Sequence, residues 1–118
     1  MEDSRLMHSM LLDFYGELLT DKQRECCEMH YNEDLSLAEI AEQLGISRQG
    51  VWDNIRRADA ALAEIEDKTG LVARFTAARR SLERLCERVH MLGGLCSGDA
   101  RRVAREVEEE LSRLKRDI

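Results

Sequence analysis

Proline is absent from this sequence, and aromatic residues make up only 4% of its 118 positions. Without proline, no residue forbids a long helix outright. The abundant Ala, Leu, Glu and Arg are among those that lose least on entering one. Long apolar runs are missing too, so no segment reads as a membrane span. The N-terminus also lacks the basic-then-apolar order of a secretion signal. The expectation is a cytoplasmic protein with no membrane partner. Cys26 and Cys27 are adjacent, and Cys86 and Cys96 complete no paired framework. That pattern argues against a disulfide scaffold.

A phosphate-cradling glycine loop is also lacking, and no nucleophile, base and orienting group can be assembled. His8 and His30 read as isolated surface or packing residues. Cys86 and His90 lie one helical turn apart and, with Cys96, offer three ligands for a metal. A closed tetrahedral site needs a fourth and usually tight pairs. Packing is the simpler reading of Cys86. A non-enzymatic protein without metal or cofactor is expected.

What is present in quantity is charge, 36% of the residues, and it is unevenly placed. Residues 1–70 hold 7 Lys or Arg against 16 Asp or Glu, and residues 71–118 hold 11 against 8. An acidic N-terminal part repels nucleic acid at long range, while a basic C-terminal part attracts polyanions or the acidic part of a second copy.

The apolar spacing is helical throughout. Leu11, Phe14, Tyr15 and Leu18 predict a first helix from Ser4 to Leu19. Thr20 and Gln23 form a capping box that starts a second, which Asn32-Glu33-Asp34 breaks. Ser36 and Glu39 form another box before a short helix, Leu37 to Leu44, and Gly45 supplies the left-handed stop. Ile46 plugs the turn and Ser47 caps a fourth helix, whose Val51, Ile55, Ala58, Leu62 and Ile65 share one face. Helix, glycine turn and helix with an apolar plug make a helix-turn-helix from about Ser36 to Leu62.

Thr69-Gly70 marks a break. Beyond it, Leu71, Phe75, Ala78, Leu82, Leu85, Cys86 and Val89 lie on one face of a helix ending at Gly93-Gly94. A last helix from near Asp99 carries Val103, Val107, Leu111, Leu114 and Ile118. Each of these two helices needs something to lie against, and a homodimer through them is expected.

On the fourth helix Gln49, Gly50, Asp53, Arg56 and Arg57 lie opposite the apolar stripe, with Arg48 and Asn54 at the flanks. Gln49 and Asn54 are candidates to read adenine, and Arg48, Arg56 and Arg57 to meet guanine or phosphate. Asp53 sits near the centre, where a carboxylate faces a polyanion, although it could accept from cytosine. The module from Ser36 to Glu66 holds three basic and six acidic residues. The phosphate attraction that normally drives DNA affinity is therefore missing or adverse. Trp52, beside the apolar face, is expected to pack and staple the first helix to the module, with anchoring a partner as the alternative. Arg80, Arg84 and Arg88 line one side of the next helix. They read first as a solvated face, with Arg79 and Glu83 paired one turn apart, and alternatively as an RNA contact. No aromatic residues interleave them to stack bases.

The run "LTDKQRECCEMHYNEDLSLAEIAEQLGISRQGVWDNIRRADAAL" resembles region 4 of bacterial sigma factors. It is more similar still to the YlxM family of small helix-turn-helix proteins. The words "DFY" at 13–15, "LLTDKQR" at 18–24, "DLSLAEIAE" at 34–42 and "SRQGVWDNIRRA" at 47–58 carry the resemblance, which covers roughly residues 8–71. It implies a sigma region 4-like helix-turn-helix domain over residues 1–69, which the helical spacing completes to an all-α bundle with a C-terminal amphipathic arm over residues 70–118. It also implies a regulatory protein of the signal recognition particle pathway, with the particle's protein or RNA as partner. That family inference rests on genes lying beside those for the particle's GTPase and its receptor. The other expectations left open are a DNA-binding transcription regulator and a structural homodimer.

Overall fold

A computed structural model describes residues 2–118, with side chains from residue 4 onward. Its regular elements are all helical: α1 (Glu2–Tyr15), α2 (Asp21–Cys27), α3 (Leu37–Leu44), α4 (Arg48–Thr69), α5 (Leu71–Leu95) and α6 (Gly98–Asp117). A short 3-10 turn, Gly16–Leu18, follows α1, and a π-helical turn, Glu28–Asn32, extends α2. The expected first helix to Leu19 is therefore shorter, because the chain tightens at Gly16 before Thr20 caps α2. Among the described residues no helix is long and apolar enough to cross a membrane.

Local chemistry sets these boundaries. The Thr20 hydroxyl accepts from the Gln23 amide, and the Gln23 side chain accepts from the Thr20 N–H. Ser36 and Glu39 make the same reciprocal pair at α3, both bonds 3.1 Å. Gly45 ends α3 at φ 68°, a left-handed conformation that costs a residue with a Cβ. Ser47 then caps α4 by accepting from the Gly50 amide at 3.0 Å, and Gly70 stops α4 as Gly45 stops α3.

The chain divides into two compact units, one ending at Val72 and the other running Ala73–Ile118. The first is built round Ile40, Val51, Ile55, Leu62 and Val72, with Cys26 and Cys27 fully enclosed among them. Leu11, Leu12 and Tyr15 bring α1 onto this core, and Ile46 packs at its edge as the plug of the turn. Burying each large aliphatic contributes about 1.5–3 kcal/mol. The Tyr15 hydroxyl meets both the Glu66 carboxylate (2.6 Å) and the Thr69 hydroxyl. The same Glu66 oxygen accepts from the Val72 amide at 3.0 Å, satisfying a first-turn donor of α5. The unit therefore reaches past the Thr69-Gly70 break to include the start of α5.

In the second unit α5 and α6 run antiparallel. Arg79 donates to the carbonyls of Lys115 and Ile118, and His90 meets Glu108 at 2.9 Å. Only Leu82 and Ala104 are buried there. Three expectations change. Helix α5 continues through Gly93-Gly94 to Leu95, since two glycines weaken a helix without forbidding it. Ala78 and Leu85 are exposed, and Cys86 is only half-buried.

Candidate functional site

Helix α4 is the second helix of the helix-turn-helix, and its burial is one-sided. Val51, Ile55, Ala58 and Leu62 are enclosed by the core. The first turns of the opposite side present Arg48, Gln49, Arg56 and Arg57, all exposed, with Asp53 and Asn54 half-buried. The structure thus brings the six candidate residues onto one short stretch of helix.

Their hydrogen bonds differ from those a base reader would keep free. The Gln49 amide donates to Asp53 Oδ1 at 3.2 Å, one turn along the helix. The Asn54 amide donates to the Gly50 carbonyl at 2.8 Å. Both amides suited to adenine are thus engaged within α4. Arg48, Arg56 and Arg57 make no ion pair or hydrogen bond among the described residues. The centre of the face is a Gln49–Asp53 pair, and its edges are three unpaired guanidinium groups.

Trp52 corrects an expectation. Packing is expected of it, yet it is 43% exposed. The reason is angular: on an α-helix it falls a quarter turn or so from the Val51–Ile55–Ala58 line, toward Arg48 and Arg56. The exposed face therefore combines an indole with arginines, the residue types over-represented at the energetic centres of interfaces.

A second constellation was not visible in the sequence. His8 stacks on Tyr31, rings 4.6 Å apart and nearly parallel, and His8 Nε2 lies 3.7 Å from Asp59 Oδ2. The Tyr31 hydroxyl donates to that same Asp59 oxygen at 2.7 Å, and His30 meets Tyr31 edge-on. Arg5 donates to the carbonyls of His30 and Tyr31 and pairs with Asp34. Both histidines thus pack: His8 helps fasten α1 to the π-helical turn, and His30 packs on Tyr31 within that turn. Burial, then the bond to Asp59, holds the Tyr31 phenol well above its ordinary range. Burial, reinforced by the Asp59 charge, pushes the Cys27 thiol up to about 12. A thiol so held is not a nucleophile at neutral pH. The only advance signal for this cluster was that Asp59 directly follows the buried Ala58.

Arg80, Arg84 and Arg88 lie on the exposed part of α5 in the second unit. Arg84 donates to the Ser81 hydroxyl at 3.2 Å, and Arg79 lies 3.9 Å from Glu83. His90 is taken by Glu108, and among the described residues no three His, Cys, Asp or Glu side chains gather as a metal site.

The family model described as "Putative helix-turn-helix protein, YlxM / p13 like" matches residues 2–92, which takes in everything up to most of α5. A UPF0122 protein of Thermoanaerobacter sp. (strain X514) is 47% identical over 92 residues, 78% of this chain and 79% of that one. One from Caldanaerobacter subterraneus is 51% identical over 87 residues, 74% of each chain. One from Acetivibrio thermocellus is 43% identical over 107 residues, 90% of this chain and 92% of its own.

Proposed function

Since the chain belongs to the UPF0122 family of YlxM / p13-like helix-turn-helix proteins, we propose that it is a non-enzymatic regulator working through the exposed face of α4. The partner is a protein or RNA of the signal recognition particle pathway. The pathway comes from the family resemblance; the mode of action comes from the face. One observation carries that mode: exposed Trp52 stands between Arg48 and Arg56, while Asp53 occupies the centre and ties up Gln49. An indole flanked by unpaired guanidinium groups suits a desolvated contact with a partner surface. A central carboxylate with its amide neighbours engaged opposes entry into a groove walled by phosphates.

The test is capture of partners from cell lysate on the immobilised chain, with and without nuclease, using Trp52→Ala as the control. Recovery of the particle's GTPase or RNA by the parent chain, lost in Trp52→Ala, is the expected result. Enrichment of defined duplex DNA, unaffected by Trp52→Ala, would overturn it. A second reading, a DNA-binding transcription regulator in the cytoplasm, draws on a different observation. The helix-turn-helix is intact, and Arg48, Arg56 and Arg57 remain available to phosphate or guanine.

A further inference from the structure

The α5–α6 hairpin has two unlike sides. Along its inner line sit Leu82, Cys86, Val89 and Gly93 of α5 with Ala104 and Leu111 of α6, all buried or half-buried. At about 100° per residue, Leu85 and Leu92 lie roughly a quarter turn round α5 from that line. Val103, Val107 and Leu114 lie about as far round α6, in the same rotational sense. In antiparallel helices, equal rotation in one sense brings both strips to the same side of the pair. All five side chains are exposed, Leu92 at 53% and Val103 at 48%. The other side of the hairpin carries Glu83, Glu87, Arg105 and Arg116 and is polar. One side is therefore apolar and uncovered.

The two edges of that apolar side carry opposite charge. Beyond the α5 strip stand Arg84 and Arg88; beyond the α6 strip stand Asp99, Glu106, Glu110 and Asp117. Arg102 and Arg113 offset the acidic edge only through exposed pairs of 3.4–3.9 Å, which are weak. The His90–Glu108 contact sets the relative height of the helices. By that level, Arg88 stands across from Glu110, and Arg84 lies about one turn away.

We propose that this side is the interface with a second copy of the chain, closing an antiparallel four-helix bundle in which α5 of each copy lies against α6 of the other. A two-fold axis parallel to the helices produces that pairing. It sets each basic edge against the other copy's acidic edge, whereas an axis across the helices sets like charge against like. The five exposed apolar side chains become the bundle core, the place such positions occupy in four-helix bundles. This goes beyond the α4 reading and does not depend on what α4 binds. A nucleic acid fits this side poorly, because it offers no stacking ring and one whole edge is acidic.

The experiment is sedimentation of the full chain at tens of micromolar, with helix content followed by circular dichroism. The parent is expected to be a dimer and Val107→Glu a monomer of equal helicity. Should Val107→Glu lose helix, two surface sets decide: Arg84→Glu with Arg88→Glu, and Glu106→Arg with Glu110→Arg. Each set alone should self-associate at least about tenfold more weakly than the parent, and an equimolar mixture should recover a heterodimer. A monomeric parent would overturn the proposal. So would charge sets that dimerise as well as the parent, a mixture that recovers nothing, or parent association abolished by nuclease.

Discussion

In the first unit Ile40, Val51, Ile55, Leu62 and Val72 are almost wholly enclosed, whereas in the second only Leu82 and Ala104 are buried. Both units are helical, and both carry apolar residues at helical spacing. The difference lies in how many directions each stripe is met from. Helix α4 is approached by α1, α2 and α3, so its stripe vanishes into a core; α5 and α6 meet only each other within their unit, through contacts such as Arg79 with the Lys115 carbonyl and His90 with Glu108. A two-helix hairpin covers one line of each helix and leaves the rest of the stripe outside. The ends differ as well. Thr20, Ser36 and Ser47 each accept a backbone N–H, while Ser97, before α6, makes no side-chain capping bond.

The largest expected contrast follows from burial. Leu62→Ala should destabilise the chain by about 2–5 kcal/mol, whereas Leu95→Ala, at an exposed position, should stay within about 0.5 kcal/mol. Urea unfolding followed by circular dichroism measures both. Similar losses from the two would mean that the second unit buries more than the structure shows.

Thiol chemistry sharpens the same contrast. Cys27, fully buried with its pKa raised from 9.0 to about 12, should resist alkylation in the folded chain, while half-buried Cys86 and Cys96 react. A raised thiol pKa means the folded state keeps its proton when the unfolded state has lost it. Cys27 therefore favours folding below pH 9 and erodes stability as pH climbs from 9 toward 12. Mass spectrometry after timed alkylation reads the first effect and unfolding at stepped pH the second. Rapid labelling of Cys27 at neutral pH would contradict both.

Tyr15→Phe removes the hydroxyl that joins Glu66 and Thr69 and should cost about 1–2 kcal/mol. Smaller again is the capping pair. Ser36→Ala should lose about 1 kcal/mol, and Ser97→Ala no more than a few tenths. Equal losses at the two serines would show that Ser97 caps α6 in solution.

Most of the helix-turn-helix was legible because its determinants are local. The Thr20–Gln23 and Ser36–Glu39 boxes, the Gly45 stop, the Ser47 cap and the Val51–Ile55–Ala58–Leu62 face each depend on residues within a turn or two. What stayed hidden depends on distant partners. His8 meets Tyr31 and Asp59 only after α1 has docked, and nothing in the spacing from 8 to 31 to 59 announces that. The exposure of Trp52 follows from its quarter-turn offset from the core line, which hydrophobicity alone reads as burial. The candidate face itself was legible by position, but the engagement of Gln49 and Asn54 within α4 was not. An amide's partner depends on its rotamer as well as on its place on the wheel.

Partner docking through α4, with Asp53 opposing DNA, requires the parent and Asp53→Lys to differ in duplex binding. Fluorescence anisotropy with random and selected duplexes, at two salt concentrations, tests it most directly on the parent and Asp53→Lys. Negligible, unselective binding by the parent at physiological salt is the expected result. Asp53→Lys should gain non-specific affinity with a steeper salt dependence. Tight, sequence-selective binding by the parent, weakened about 1–3 kcal/mol by Arg56→Ala or Arg57→Ala, would contradict it.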